Sequence, residues 1–164
     1  MIDLRFPTAL QLMLSLALAD AEHVERVSSS TLAKGIGANP SFLRKLIVPL
    51  VREGLVSAAS GRDGGVRLGR SPDTITLCDI YRAVIGEKSI WSPREDVPHQ
   101  CLVSSNVEQF FRSLADQANE AVYEVLEKQT LAQSLDALRS MNATTPKRVR
   151  STSTRPRPKP PQVG

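Results

Sequence analysis

Four basic side chains occupy two places in the sequence where they could contact a polyanion. Arg44 and Lys45 lie near the start of a segment whose apolar residues recur at helical spacing. Arg62 and Arg67 lie in and just after a glycine-rich turn that begins at Gly61. Guanidinium and ammonium groups bind phosphate oxygens and the acceptor edges of bases, so both pairs are candidate nucleic-acid contacts. The alternative is that they form ordinary solvated surfaces.

A second candidate chemistry is that of a reactive thiol at Cys101. His99 lies two residues before it in a polar segment, and an imidazolium beside a thiol lowers the thiol pKa. Cys101 and His99 are therefore candidates for an oxidation-sensitive site, the alternative being a cysteine without a role. Cys78 falls among apolar residues, where a free cysteine is most often a small buried side chain. Two cysteines are too few for a disulfide framework or a self-contained zinc site.

The first basic pair belongs to a predicted helix-turn-helix. Ser28–Thr31 offers N-cap residues for a short helix, and a glycine shortly afterwards can end that helix in a left-handed conformation. Asn-Pro at 39–40 is a typical start for the second helix. The N-terminal part of such a second helix meets base edges in the major groove. The candidate contacts near the starts of the two helices are Ser28, Thr31, Ser41, Arg44 and Lys45.

Pro49 conflicts with the helical pattern of residues 40–53. A proline inside a helix removes one backbone hydrogen bond and clashes with the preceding turn, at a cost of about 3 kcal/mol. The sequence therefore leaves two alternatives, a kink at this point or a helix that ends near Ile47. In both cases residues 41–45, which are expected to face the major groove of DNA, precede the kink or the helix end.

The second basic pair belongs to a predicted β-hairpin. Two short strand-like runs flank the turn at 61–65, and Asp-Gly within that turn is a strong hairpin signal. Alternation along the second strand directs Val66 and Leu68 inward and Arg67 outward. A helix-turn-helix followed by a basic hairpin predicts a winged helix, whose wing reaches phosphate or the minor groove. The expected wing contacts are Gly61, Arg62 and Arg67, with Arg70 as a further cation.

The region after the wing predicts more helices and a subunit interface. Residues 76–85 fit a short helix, residues 87–100 a loop, and residues 131–138 a final short helix. From Asn106 to Leu126 apolar residues recur at three- and four-residue steps, which predicts a long amphipathic helix. A single winged helix does not need so long a stripe, so we expect a homodimer that presents two recognition helices to DNA. The alternative is packing within one subunit.

The predicted fold class is mostly α with a small β-hairpin, a winged helix-turn-helix followed by a long dimerisation helix. We expect a DNA-binding domain at 1–72, a dimerisation and sensor region at 73–141, and a basic proline-rich tail at 142–164. The tail has six basic residues, no acidic residue and too little apolar surface to offset the entropy of ordering, so we expect it to be disordered. Residues 26–72 also carry a net charge of +6. Both basic regions are expected to contact DNA.

Several runs of the sequence, taken in order, resemble one known family. They are similar to runs in the Rrf2 family of bacterial winged-helix transcriptional regulators, and the resemblance extends from Phe6 to about Leu138. It implies homodimers that bind partly palindromic operators. The runs that carry the resemblance are Leu50–Val56, the turn Gly61–Gly65, Leu68–Pro72, Ile75–Ile80 and Ala83–Gly86.

The resemblance also sets an expectation about cofactors. Cluster-binding members of the family carry three closely spaced cysteines in the loop after the wing and a fourth ligand elsewhere. In this chain Cys101 is the one cysteine in the matching loop. Because iron–sulfur clusters are held mainly by thiolates, we expect no cofactor, with a cluster ligated across the dimer as the alternative. Ser60 stands where several relatives have an arginine. We expect Arg62 to make the DNA contact that this arginine would make.

These features predict a sequence-specific DNA-binding regulator that acts on double-stranded DNA as a homodimer and a repressor. No nucleophile elbow, phosphate-binding glycine loop or metal-ligand spacing indicates an enzyme. Phe6–Ala19 is shorter than a membrane span of about 20 residues, and no positive excess precedes it, so we expect a buried helix in a cytoplasmic protein with no membrane partner. The alternative function is a sensor-adaptor whose dimerisation region binds a metabolic enzyme.

Overall fold

Helices and one β-hairpin follow each other in the expected order in the computed structural model, which describes residues 3–61, 64–86, 88–94 and 101–144. The predicted fold class is confirmed. The helices are α1 (Arg5–Ala21), α2 (Ser29–Ile36), α3 (Pro40–Arg52), α4 (Leu77–Ile85), α5 (Leu102–Glu127) and α6 (Leu131–Thr144). The hairpin pairs β1 (Val56–Ala59) with antiparallel β2 (Gly65–Leu68), and a short 3₁₀ turn spans Pro72–Thr74.

Helix α1 lies at the centre of the core. Leu12 and Met13 are fully buried, and Ala9, Leu16 and Ala17 extend the buried surface around the helix. These side chains meet α2, α3, α4, α6 and β2, so the predicted buried first helix is confirmed. Among the described residues, no helix has both the length and the apolarity needed to cross a membrane.

Two capped helices joined by a tight turn form the helix-turn-helix. Ser28 Oγ accepts a hydrogen bond from the Thr31 N–H at 3.1 Å, which starts α2. Gly37 ends that helix with a φ of 71°, a conformation that glycine adopts without a steric penalty. Asn39 Oδ1 then accepts the Ser41 N–H at 2.8 Å, which starts α3. Both predicted helix starts are confirmed.

Helix α3 continues through Pro49 and ends at Arg52, so the predicted alternative of an end near Ile47 is wrong. Proline has no N–H to donate to the carbonyl of Lys45, which costs the helix one bond. Leu46 and Leu50, which flank the proline, are buried. The apolar burial on both sides of Pro49 offsets the lost bond and holds the helix together.

The wing is tied to the segment that precedes α2. Residues 56–59 pair with residues 65–68, and the backbone of Val27 adds a further bridge to Val66. The Val27 N–H donates to the Val66 carbonyl at 2.9 Å, and the Val66 N–H donates to the Val27 carbonyl at 2.9 Å. Val66 is buried and Arg67 is exposed, as the alternation predicted. The hairpin therefore has a fixed position relative to the helix-turn-helix.

Helix α4 agrees with the predicted helix at 76–85, whereas the last two helices are longer than the sequence predicted. Helix α5 begins at Leu102 rather than Asn106, because Cys101 and Ser104 bond each other's backbone N–H at its start. Helix α6 continues to Thr144 rather than ending at Leu138, and its last hydroxyls donate to carbonyls one turn earlier. Residues 142–144 are therefore helical, which corrects the predicted start of the tail. The rest of the predicted tail lies outside the described residues.

Helix α6 returns to the core of the winged helix. The Leu131 N–H donates to the Ile75 carbonyl at 2.8 Å, and the Leu77 N–H donates to the Gln129 carbonyl at 2.9 Å. Leu131 and Leu135 are buried in the same apolar cluster as the residues of α1. The winged helix thus shares one apolar core with α4 and α6.

Candidate nucleic-acid interface

Helix α3, the start of α2 and one edge of the wing enclose an open groove of about 530 Å³. Three of the predicted contact residues, Ser28, Arg44 and Gly61, line it. They come from three different segments of the chain and meet because the wing is anchored beside α2. The groove is the place where the helix-turn-helix and the wing present a common surface.

The two cations near the start of α3, Arg44 and Lys45, are exposed and have no acidic partner among the described residues. Ser41 is exposed as well. Arg44 lines the groove, whereas Ser41 and Lys45 lie outside its lining. Positive charge on this face is therefore available to an external anion.

Ser28 and Thr31 have a structural task at the start of α2. Ser28 Oγ lies 2.8 Å from Thr31 Oγ1 and 2.9 Å from Ser30 Oγ, in addition to accepting the Thr31 N–H. Both residues are exposed, so their remaining hydrogen-bonding capacity faces the solvent. Their role in DNA contact stays a prediction.

The cations of the wing differ in their surroundings. Arg67 is exposed on the outer face of β2, while Arg62 lies outside the described residues. Arg70, expected as a further cation for phosphate, instead donates to Asp79 Oδ2 at 3.2 Å. Asp79 also accepts the Thr76 N–H, so the guanidinium of Arg70 lies at the start of α4.

The thiol of Cys101 lies at the N-terminus of α5 and is fully exposed. The Ser104 hydroxyl donates to Cys101 Sγ at 3.4 Å and the Ser104 N–H donates to it at 3.5 Å. These hydrogen bonds lower the pKa of Cys101, and a hydrogen bond from the Val103 N–H has a smaller effect in the same direction. The expected cause was His99, which lies outside the described residues. Cys78 is buried as predicted, and burial raises its pKa to about 11.

A family model described as Rrf2, iron-dependent transcriptional regulator, matches residues 2–137. The chain belongs to the Rrf2 family. It is therefore a DNA-binding transcriptional regulator, and its relatives are regulators rather than enzymes. The resemblance inferred from the sequence is confirmed.

Individual relatives agree with this membership. YwnA of Bacillus subtilis (strain 168), an HTH-type transcriptional regulator by name, is 27% identical over 135 residues, which are 82% of this chain and 94% of YwnA. Protein aau3 of Rhizobium meliloti (strain 1021) is 40% identical over 70 residues, but the match spans 43% of this chain and only 44% of aau3.

Solved structures of Rrf2 regulators share the fold. CymR (YrzC), the global cysteine regulator of B. subtilis, is 30% identical and superposes with a TM-score of 0.60, over 84% of this chain and 97% of CymR. IscR of T. potens is 24% identical with a TM-score of 0.63, over 90% of this chain and 93% of IscR. At that identity the likeness to IscR concerns the fold alone.

The donor set of this Rrf2 chain does not fit an iron–sulfur cluster held by one subunit. Cluster irons are ligated mainly by cysteine thiolates, and the sequence has two cysteines. Cys78 is a buried residue of α4, whereas Cys101 is exposed at the start of α5. In the part of the chain that the structure describes, no three His, Cys, Asp or Glu side chains are grouped so that they could hold a metal ion.

Sequence reasoning missed two features of this interface. The first is the support of the wing by Arg26, whose guanidinium donates to the Gly65 carbonyl at 3.3 Å, next to the Val27 bridge. No local motif indicates that contact, since the partners are 39 residues apart.

The second missed feature is the pair of hydrogen bonds from Ser104 to Cys101. A capping residue followed three positions later by a reciprocal partner is a known helix-start pattern, and the spacing could have indicated it.

The hydrogen bonds at Cys101 lead to a test of its pKa. Ser104→Ala removes the side-chain donor, so we expect the pKa of Cys101 to rise and the thiolate fraction near neutral pH to fall. The pH profile of iodoacetamide alkylation of the native protein should shift to higher pH, because the thiolate is the nucleophile.

Ser105→Ala is the matched control, because the Ser105 side chain is exposed and is not a hydrogen-bond donor to Cys101 Sγ. Buried Cys78 should not react in the folded protein. A profile of Ser104→Ala that coincides with those of wild type and Ser105→Ala would contradict the assignment.

Proposed function

We propose that this Rrf2 regulator binds a partly palindromic operator as a homodimer, with α3 as the recognition helix and the wing as an additional contact. The observation that carries the proposal is the position of Arg44, exposed and uncompensated among the described residues, in the groove between α3 and the wing. A net charge of +6 over residues 26–72 favours the approach of this unit to DNA.

Arg44 is proposed to contact a base edge, so Arg44→Ala should weaken operator binding by about 1–3 kcal/mol and relax preference at one base pair of each half-site. The operator is first obtained by selection from random duplexes, and affinities are then measured by fluorescence anisotropy at two salt concentrations.

Arg52→Ala is the control, because Arg52 is exposed at the other end of α3, 3.5 Å from Glu53, outside the groove. Equal effects of the two variants would show that α3 does not read the operator at Arg44. If the selection enriches no sequence with reduced, oxidised or cluster-reconstituted protein, the sensor-adaptor role is favoured instead.

The proposed homodimer rests on the free face of α5. This helix has 26 residues and a length of about 39 Å, and Ala115 alone among its residues is buried. One side of it packs on α4, where Tyr123 meets Tyr81 at 6.0 Å and Arg82 at 4.9 Å. Another side exposes large apolar residues at three- and four-residue spacing: Val103, Val107, Phe110 and Leu114. A second copy of this helix would bury that stripe.

Phe110, which is 68% exposed, lies in the middle of the stripe and provides the test of the dimer. Phe110→Asp should weaken dimer association by roughly tenfold or more, because an unpaired carboxylate is costly in an apolar interface. Light scattering coupled to size-exclusion chromatography measures the mass of each variant at several concentrations.

Val24→Asp serves as the control, since Val24 is an exposed apolar residue in the loop after α1 and does not belong to the apolar stripe of α5. A wild-type protein that is monomeric at micromolar concentration, or a Phe110→Asp protein that stays dimeric, would contradict the proposed interface.

We also propose that Cys101 makes operator binding sensitive to oxidation. A lowered pKa and full exposure favour attack of the thiolate on peroxide, in which sulfur takes one oxygen to become a sulfenic acid and hydroxide is released. The position at the start of α5 places this change beside Val103 of the proposed dimer interface.

Cys101→Ser should bind the operator like wild type in reductant, and it should keep that affinity after peroxide treatment while wild type loses affinity. The two proteins are compared in the anisotropy assay before and after oxidation. If wild type and Cys101→Ser respond alike to peroxide, Cys101 is not the sensor.

We propose that the regulator represses its target genes. We also propose that it acts in the cytoplasm. A dimer on a promoter operator excludes other proteins from the same DNA surface, and a reducing compartment keeps Cys101 as a thiol until oxidant appears. Release of the operator on oxidation would then switch the regulated genes on.

A further inference from the structure

One aliphatic side chain on the proposed DNA-binding face is unusually exposed. Val48 follows Arg44 by one helical turn on α3, and 68% of its surface is exposed. The other apolar side chains of that helix are buried or half-buried, apart from Pro40 at its first position and Val51 at 39%. Within the described residues 3–61 and 64–86, no large apolar side chain is more exposed than Val48.

The surroundings of Val48 are those of the groove. It lines the groove together with Arg44, and Ala58 and Ala59 of the wing form part of the opposite wall. Both alanines are exposed and small, so they leave room for a ligand to reach Val48. The residue has no packing role that explains an apolar side chain here, and a β-branched residue gives a helix no advantage in propensity.

The major groove of DNA offers one apolar group to such a side chain, the 5-methyl group of thymine. We propose that Val48 is a specificity-determining residue that packs on a thymine 5-methyl group in each half-site. The inference rests on the proposed role of α3 as the recognition helix and names a feature of the operator. Four residues of helix advance by about 6 Å and adjacent base pairs are about 3.4 Å apart, so this thymine should lie within about two base pairs of the base that Arg44 contacts.

The test replaces the methyl group on the DNA and the side chain on the protein. In the selected operator, thymines are changed to deoxyuridine one symmetric pair at a time, which removes only the 5-methyl group. Affinities of the full-length wild type, Val48→Ala and Val51→Ala are measured for each duplex. Val51→Ala is the matched control, because it shortens the same residue type on the same helix outside the groove lining.

We expect one thymine position at which the wild type and Val51→Ala lose about fourfold in affinity per half-site on methyl removal. At that position Val48→Ala should bind thymine and deoxyuridine equally. Wild-type binding that is insensitive to deoxyuridine at every position, or a methyl effect that persists in Val48→Ala, would overturn the inference while leaving the recognition role of α3 intact. Failure to select any operator would contradict the proposed function itself.

Discussion

The burial of α1 determines where the elements of the proposed DNA-binding face lie. Its side chains occupy the centre of the core, and α2, α3, α4, α6 and β2 all rest against it. Each fully buried Leu or Met contributes about 1.5–3 kcal/mol to this packing. Because α3 and β2 share α1 as their support, α3 and the wing cannot shift independently without exposing apolar surface. The groove between them is a consequence of that shared core.

The same core connects the proposed DNA-binding face to the proposed dimer interface. Phe6 at the start of α1 meets Tyr81 of α4 at 5.1 Å, and Tyr81 meets Tyr123 of α5 at 6.0 Å. Arg5 adds a hydrogen bond to the Val84 carbonyl at 3.1 Å. A chain of aromatic and polar contacts thus runs from α1 to α5. In a dimer built on α5, these contacts would fix the spacing of the two recognition helices, and a change at Cys101 would act on the same helix.

Local sequence signals predicted the winged helix because its elements are defined by local chemistry. The caps at Ser28 and Asn39 and the alternation in β2 were recognisable within a few residues. Features that depend on distant partners were not recognisable, such as the Val27 bridge to Val66 and the ion pair that engages Arg70. Helix ends were also less accurate, since α6 continues through polar residues whose hydroxyls bond its own backbone.

Hydroxyl-radical footprinting of the selected operator tests whether a two-fold dimer presents two α3 helices to DNA. The account predicts two equivalent protected segments related by two-fold symmetry, with centres one helical turn, about 34–36 Å, or a multiple of it apart. Two chains should be bound per duplex. A single asymmetric protected segment with one chain per duplex would contradict the account.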